Sequence, residues 1–337
     1  MISNVPAHNE HASDGSSNSP HHAVTIAICS RNRADELQAT LASLQHVEAP
    51  KEYDVDLVLV DNDSTDATRE IMNRFHFPAA TVKVVREDRT GLSHARNRAL
   101  LESDGNVLLF SDDDIRFPVD WIKQMAGPIL AGKANAVAGS VKLAKSLDRP
   151  WATELHRSWL ASTESIDPVN PERLVGANMA ICRRILEQVG GFNVALGAGA
   201  LGFGEETLLA KQILALGGTI APVWEACVEH HPDLSRLRRD SYLNTAVKMG
   251  QSDGYIDHHW HHKPCSWLRG YLKLSAISFK LWRFRLKYRQ AHRNQEGTPA
   301  KELIIRRNQA LWRFLMSERG LPVRYPTRSA APVAHFS

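Results

Sequence analysis

Across the first half of the chain, short β-branched runs alternate with stretches where apolar residues recur every three or four positions. Residues 24–28 form the first run and predict a strand. Leu37, Leu41 and Leu44 follow at helical spacing after Asp35 and Glu36. Residues 55–60 predict a second strand ending at Asp61, and Ser64 is placed to cap a helix holding Ile71, Met72 and Phe75. Residues 81–85 predict a third strand, 91–101 a helix, and 106–110 a fourth strand that runs into three aspartates. This β-α-β-α order predicts an α/β fold, a mostly parallel sheet with helices on both faces. Such sheets bind ligands at the carboxyl ends of their strands, so the polar segments 30–33, 61–64 and 112–114 are expected to converge on one crevice. Beyond Trp121 the pattern predicts a helix to about Leu130, a strand over 134–141, a proline-bearing loop and an apolar run over 175–182. A short helix over 183–189 follows, then a loop with six glycines. A helix over 205–216 comes next, with Leu208, Leu209, Ile213 and Leu216 on one face, and residues 227–231 close the unit.

Composition adds a size limit and an asymmetry. The 337 residues are 43% hydrophobic and 23% charged, enough to bury a sizeable core, which excludes a disordered or fibrous chain. The net charge of +4 hides two unlike halves. Residues 231–337 hold 20 Lys and Arg against 7 Asp and Glu, net +13, which leaves −9 for residues 1–230. Cys29, Cys182, Cys227 and Cys265 are far apart without metal-type spacing, which points to a reducing compartment, the cytoplasm, rather than a disulfide framework. Residues 1–22 are rich in Asn, Ser and His without a basic start and apolar run; they read as a disordered tail, not a secretory signal. No stretch has the 18–20 apolar residues of a membrane span.

The polar segments carry the chemistry. Asp112, Asp113 and Asp114 repel one another, so without a cation at least one should have a raised pKa; a divalent cation removes that cost, and a solvated acidic turn is the alternative. Ser30, Arg31 and Arg33 follow strand one and offer hydrogen bonds and charge to phosphate, or simply a helix-capping turn. Asp61, after strand two, could accept hydrogen bonds from a base or ribose, or belong to an ordinary turn. Arg96 and Arg98 lie two apart on a helix and cannot both face a ligand.

Taken together and in order, these segments resemble the family 2 glycosyltransferases, which have the GT-A fold. "TIAICSRNRADEL", "LVLVDNDSTDAT", "GLSHARNRAL" and "LLFSDDDI" are similar to that family's two nucleotide-contacting segments, its Ala-Arg-Asn helix and its DxD metal motif. "GANMAICRRILEQVGGF" and "GEETLLAKQILALGG" resemble its acceptor-side loop and the acidic pair that opens a helix. The resemblance runs from about Val24 to His231.

It implies a donor nucleotide site from Ser30, Arg31, Arg33, Asp61, Arg96, Asp112 and Asp113, and a Mn2+ or Mg2+ site from Asp112 and Asp114. His230 is a further metal ligand, with His231 or a water as the alternative. Glu206 stands where the family has its catalytic Asp, with Glu205 as the alternative base. The implied activity is inverting transfer of a sugar from a nucleotide-diphosphate donor to an acceptor hydroxyl on a glycan or lipid-linked acceptor, in bacterial cell-surface polysaccharide or glycoconjugate synthesis. Because Glu replaces Asp, a catalytically impaired nucleotide-sugar or glycan-binding protein on the same scaffold is the second reading. A nucleotidyltransferase is the third, disfavoured because its Gly-rich loop after strand one is missing.

These readings divide the chain into a tail over 1–22, a GT-A catalytic domain over 23–235 and a basic helical region over 236–337. In that last region Leu274, Ile277, Leu281, Phe284 and Tyr288 form a helical stripe flanked by Arg269, Lys273, Lys280 and Lys287, with Trp267, Tyr271 and Trp282 added. Such a helix either lies on an anionic membrane surface, as a peripheral contact on the inner face of the plasma membrane, or packs on the catalytic domain or a partner subunit. A second helix over 303–315 could pair with it. Self-association stays open, and no nucleic-acid partner is expected.

Overall fold

The computed structural model describes residues 22–287 and 296–325; the expected N-terminal tail up to residue 21 and Tyr288 of the helical stripe lie outside them. Eight strands form one sheet: β1 (His22–Ser30), β2 (Tyr53–Asp61), β3 (Thr81–Arg86), β4 (Val107–Ser111), β5 (Ile115–Arg116), β6 (Ala136–Leu143), β7 (Asn178–Cys182) and β8 (Ile220–His230). Their order is β3-β2-β1-β4-β7-β6-β8-β5. The pairs β1–β2, β2–β3, β1–β4 and β6–β8 are parallel, while β7 runs antiparallel to β4 and β6, and β5 antiparallel to β8. The expected mostly parallel sheet is present.

Helices cover both faces. On one side α1 (Ala34–Leu44), α2 (Thr68–Arg74) and α4 (Trp121–Leu130) pack Leu37, Leu41, Leu44, Met72 and Trp121 against Ile26, Ile28 and Leu57. On the other, α3 (Leu92–Leu101), α6 (Arg183–Gln188) and α7 (Glu205–Ala215) pack Ala95, Ala99, Leu186 and Ile213 against Val58, Val60 and Phe110. Both faces of β1, β2 and β4 are covered, so their apolar runs are continuous rather than alternating. Each fully buried leucine here contributes roughly 1.5–3 kcal/mol.

Several local expectations are corrected. Ser64 does not cap α2, which starts at Thr68, where the Thr68 N–H is met by Asp66 Oδ1 at 3.0 Å; Phe75 lies just past its end. Leu216 falls outside α7 and is 44% exposed. The apolar run over 175–182 contributes β7 from Asn178 onward, and His22 begins β1 rather than ending the tail.

Beyond the sheet, α5 (Glu154–Ser158) lies in the loop after β6, and three long helices follow β8: α8 (Arg239–His259), α9 (Trp267–Lys287) and α10 (Ala300–Ser317). The pattern of apolar residues does not predict α8, which buries Ala246, Gly250, Ser252 and Gly254 among larger residues. Gly250 and Gly254 let α10 approach closely, while Ser252 faces the loop at Leu201 and Gly204. The stripe Leu274, Ile277, Leu281 and Phe284 faces inward: Leu281 and Phe284 are buried with Ile305 of α10, Ile277 packs beside them, and Leu274 is half-buried. Of the two arrangements open to that stripe, packing is the one present, and its partner is the helix over 303–315 that could pair with it. The region also shares apolar clusters with the sheet half: Tyr242, Ala246 and Leu303 with Leu147, Trp159 and Leu160, and Tyr255, Ile256 and Trp260 with Leu196 and Leu208.

Candidate active site

Register brings the polar strand ends together. Ser30 is opposite Asp61 across β1–β2, and Ile28 opposite Ser111 across β1–β4, so β1, β2 and β4 all end at the same edge. β5 then pairs with β8 so that Ile115 is opposite His230, which carries that histidine to the aspartates.

The three aspartates take different surroundings. Asp113 is buried, accepts the Ser30 hydroxyl at 2.6 Å and pairs with Arg33 Nε at 3.0 Å. Burial pushes its pKa up to about 7, with Asp114 adding to the rise and Arg33 and Ser30 opposing it. The expected rise thus falls on the middle carboxylate. Asp114, also buried, meets Arg33 Nη2 at 2.7 Å and His230 Nε2 at 3.0 Å. Burial alone would raise its pKa; the His230 hydrogen bond and charge, with Arg33, outweigh that and hold it at about 2. Asp112 is half-exposed and meets Arg96 Nη2 at 3.1 Å. Asp112, Asp114 and His230 each offer a ligand atom, all within 4.8 Å of one another. Two carboxylates and an imidazole suit Mn2+ or Mg2+, with the nitrogen favouring Mn2+. His230 Nδ1 lies 2.8 Å from the Leu160 carbonyl and Nε2 3.0 Å from Asp114, so both ring nitrogens face acceptors and the ring is held in its doubly protonated form; a cation at Nε2 would take the place of that proton.

The acidic pair sits at the N-terminus of α7, after Gly204 in the left-handed region, where a helix end favours negative charge. All six glycines of the preceding loop (Gly190, Gly191, Gly197, Gly199, Gly202 and Gly204) have positive φ, so the loop is glycine-rich because its backbone requires it. A Cβ on Gly197 would stand 3.2 Å from the Glu205 carboxyl. Glu205 Oε1 pairs with buried Arg96 at 2.9 Å, while its Oε2 is buried without a hydrogen bond. Glu206 Oε2 is buried without a hydrogen bond. Burial pushes the Glu206 pKa well above the usual carboxylate range, with the neighbouring Glu205 adding to it. Arg96 therefore ties the acidic pair to Asp112, while Arg98 points away to Glu102 at 2.6 Å.

Asp61 is fully buried; its Oδ1 accepts the Ser64 N–H at 2.9 Å, and Oδ2 has no hydrogen bond, with Arg69 3.6 Å away. Arg31 is exposed at the rim. Arg33 is turned onto Asp113 and Asp114, within the same group of residues.

Several positioning residues escaped the sequence reading. Thr40 on α1 donates to the Asp113 carbonyl at 2.7 Å and accepts the Ile115 N–H at 3.0 Å, fixing the aspartate turn. Asn62 bridges the Glu87 and Arg89 carbonyls and the Gly91 N–H. Asn97 clasps the Phe192 backbone at 2.8 Å through both amide atoms. The available signal was a polar residue within an apolar periodic run, which for Thr40 is the Leu37–Leu41–Leu44 stripe.

Two solved structures share the fold. A mannosyltransferase from Pyrobaculum calidifontis, in complex with GDP-Man and Mn2+, matches at TM-score 0.50 and 18% identity, over 86% of this chain and 69% of that one. GalNAc-T7 with UDP, GalNAc and Mn2+ matches at TM-score 0.52 and 18% identity, over 71% of this chain and 50% of that one. By fold, the chain is a GT-A protein. Residues 25–190 match the family described as Glycosyl transferase family 2. Glycosyltransferase AglE of Haloferax volcanii is 28% identical over 173 residues, 50% of this chain. The succinoglycan biosynthesis protein ExoM of Rhizobium meliloti is 29% identical over 240 residues, 69% of this chain and 74% of that protein. The chain belongs to glycosyl transferase family 2. Its match spans 55% of the length of AglE. No helix among the described residues is long and apolar enough to cross a membrane.

Proposed function

We propose that this chain moves a sugar from a nucleotide-diphosphate donor to an acceptor hydroxyl with inversion at the anomeric carbon, in bacterial cell-surface polysaccharide or glycoconjugate synthesis. The observation that carries it is the convergence of Asp61, the three aspartates, His230 and the Arg96-linked acidic pair on one edge of the sheet. The ExoM relative, named for succinoglycan biosynthesis, supports the setting. Residues 23–235 form the catalytic unit in this reading, and 236–337 a helical unit docked on it.

The roles follow from the surroundings. Asp61 Oδ2, buried and lacking a hydrogen bond, is suited to accept an N–H from the base. Ser30 and Asp113 line the ribose side, with Arg31 at the rim and Arg33 positioned to trade its carboxylate contacts for the diphosphate. Asp112, Asp114 and His230 would hold Mn2+ or Mg2+. Bound there, the cation supplies Lewis-acid stabilisation of the leaving diphosphate. Glu206 takes the proton of the acceptor hydroxyl: its raised pKa makes its carboxylate a stronger proton acceptor than an ordinary one, whereas Glu205 is held by Arg96 through Oε1. The hydroxyl oxygen bonds to the anomeric carbon, the bond from that carbon to the diphosphate breaks, and the proton passes to Glu206. A single displacement from the opposite face inverts the carbon.

The test is release of nucleoside diphosphate from a panel of nucleotide sugars, with and without Mn2+, followed by mass spectrometry of the product. Cation-dependent diphosphate release together with a glycosylated product supports the reading. Donor binding with no diphosphate from any donor favours the impaired binding protein, for which the Glu205–Glu206 pair is the motivating departure.

A further inference from the structure

Helix α9 has a second apolar face, and it is not the one that packs on α10. Trp267, Leu268, Tyr271, Leu272, Phe279, Trp282 and Leu286 are each more than half exposed. Positions 268, 272, 275, 279, 282 and 286 follow at steps of four and three, one stripe along a helix about 31 Å long, broken only by Ser275. All four exposed aromatic side chains among the described residues belong to this face. Two pairs stack along it, Trp267 on Tyr271 and Phe279 on Trp282, each with centroids 5.6 Å apart. The helix carries six basic residues and no acidic one. At helical spacing Arg269, Lys273, Lys280, Arg283 and Lys287 fall between the outer apolar face and the inner one, and Arg283 lies over the Phe279 ring at 6.0 Å.

We propose that the outer face of α9 is a docking surface for an anionic lipid bilayer, with the aromatics seated at the headgroup level and the basic edge against lipid phosphates. An apolar stripe with a basic border and interfacial Trp and Tyr is the composition of a helix lying in the bilayer interface. Each basic residue near an anionic surface strengthens attraction about fivefold at moderate salt. Charge disfavours the other occupants. A second copy would bring two acid-free basic helices together. Among the segments outside the described residues, 288–295 and 326–337 carry Arg289, Arg293 and Arg328 and no acid, and residues 1–21, which do hold Glu10 and Asp14, are too polar in sequence to cover an apolar face. The inference does not depend on the enzymatic reading, since it concerns binding alone.

The experiment is co-sedimentation of the full chain with phosphatidylglycerol–phosphatidylcholine vesicles and with pure phosphatidylcholine vesicles. Partition onto the anionic vesicles should be at least about tenfold stronger, and raising salt from about 0.1 to about 0.5 M should release the protein. The Phe279→Ser/Trp282→Ser variant should lose at least about tenfold in partition. Lys280→Glu/Arg283→Glu should lose binding to anionic vesicles by a similar factor, so the result does not rest on one variant. Both should keep the wild-type circular dichroism and diphosphate release in solution. Equal partition onto both vesicle types, no partition onto either, or unchanged partition in both variants overturns the proposal. So does a wild-type dimer that the Phe279→Ser/Trp282→Ser change dissociates while vesicle binding is absent.

Discussion

Two glutamates, half-buried Glu206 and fully buried Glu302, show how differently the sheet half and the helical half use charge. In the sheet half, Glu206 has a buried oxygen without a hydrogen bond, and burial, reinforced by Glu205, pushes its pKa well above the usual range. In the helical half, Glu302 is fully buried and meets Arg239 Nη2 at 2.6 Å and Arg306 Nη2 at 3.1 Å. Burial alone would raise its pKa too, but the hydrogen bonds and charges of Arg239 and Arg306 outweigh it and hold it below the ordinary value. The first carboxylate is a cost that the fold carries; the second stabilises it. The sheet edge holds acceptors that a ligand can satisfy, at Asp61 and the acidic pair. The helical region pairs its buried glutamate, leaves His258 Nε2 as its one buried polar side-chain atom without a hydrogen bond among the described residues, and presents much of its basic charge outward.

The largest effect that tests this contrast is on turnover. Glu206→Gln should lower kcat by about 10²–10⁴-fold, the range for loss of a general base, with donor affinity within about twofold by titration calorimetry. Its thermal midpoint should equal or exceed wild type, because the substitution removes a charge the fold disfavours. Near-normal kcat would remove Glu206 from the chemistry, and a marked loss of stability would make it a structural group like Glu302.

Glu302→Ala should behave in the opposite way. It leaves Arg239 buried beside Thr298 without its carboxylate, and losing one partner of a buried pair costs about 3–5 kcal/mol. Urea denaturation at neutral pH measures this. A loss below about 1 kcal/mol, the range of an exposed pair, would mean that Glu302 is not locking α8 to α10.

The two carboxylates also predict opposite pH windows. Glu302 has a depressed folded pKa, so its contribution is present above the unfolded value of 4.5 and lost as pH falls through the folded one. Glu206 has a raised folded pKa, so it keeps a proton above 4.5 that the unfolded chain has released. Its stabilising contribution is complete below 4.5 and lost as pH rises through the folded value. The proton-accepting form appears over that same interval, so kcat/KM should climb as this contribution declines. A kcat/KM profile whose acid limb lies at or below 4.5 would reject the role.

The same contrast explains what could be read in the sequence. β1, β2 and β4 are covered on both faces, so each is a continuous apolar run that stops at a polar residue, and Ser30, Asp61 and Asp112 mark those stops. The α/β fold and the meeting of three segments at one edge were therefore legible. The link from Arg96 to Glu205 spans 109 residues and depends on how a loop of left-handed glycines folds back; no local pattern encodes it. Helix α8 was invisible because its buried positions include Ala246, Gly250, Ser252 and Gly254, and the two glycines there serve close approach to α10 rather than hydrophobicity. The stripe on α9 was correctly read as helical, but two apolar faces on one helix leave their partners undetermined until α10 is placed.

Two glycines give the smallest and most discriminating test. A Cβ on Gly250 of α8 would overlap the Arg307 carbonyl oxygen of α10 and stand 2.8 Å from Ala310 Cβ. Backbone cannot swing aside, so Gly250→Ala must push the helices apart, an overpacking cost of about 1–3 kcal/mol. A Cβ on Gly176, before β7, would overlap Arg96 Nη2 and stand 3.0 Å from its Cζ. There the obstacle is the end of a side chain, which can move, but only by loosening its contacts with Asp112 and Glu205. Gly176→Ala should therefore leave the thermal midpoint nearly unchanged and lower kcat/KM about tenfold, roughly 1.4 kcal/mol of positioning lost at the acidic pair. Gly250→Ala should lower the midpoint and leave kcat/KM at low temperature near wild type. If both variants lose stability and activity in proportion, the two halves fail as one body, and the division between a cleft built for chemistry and a helical pack built for support does not hold.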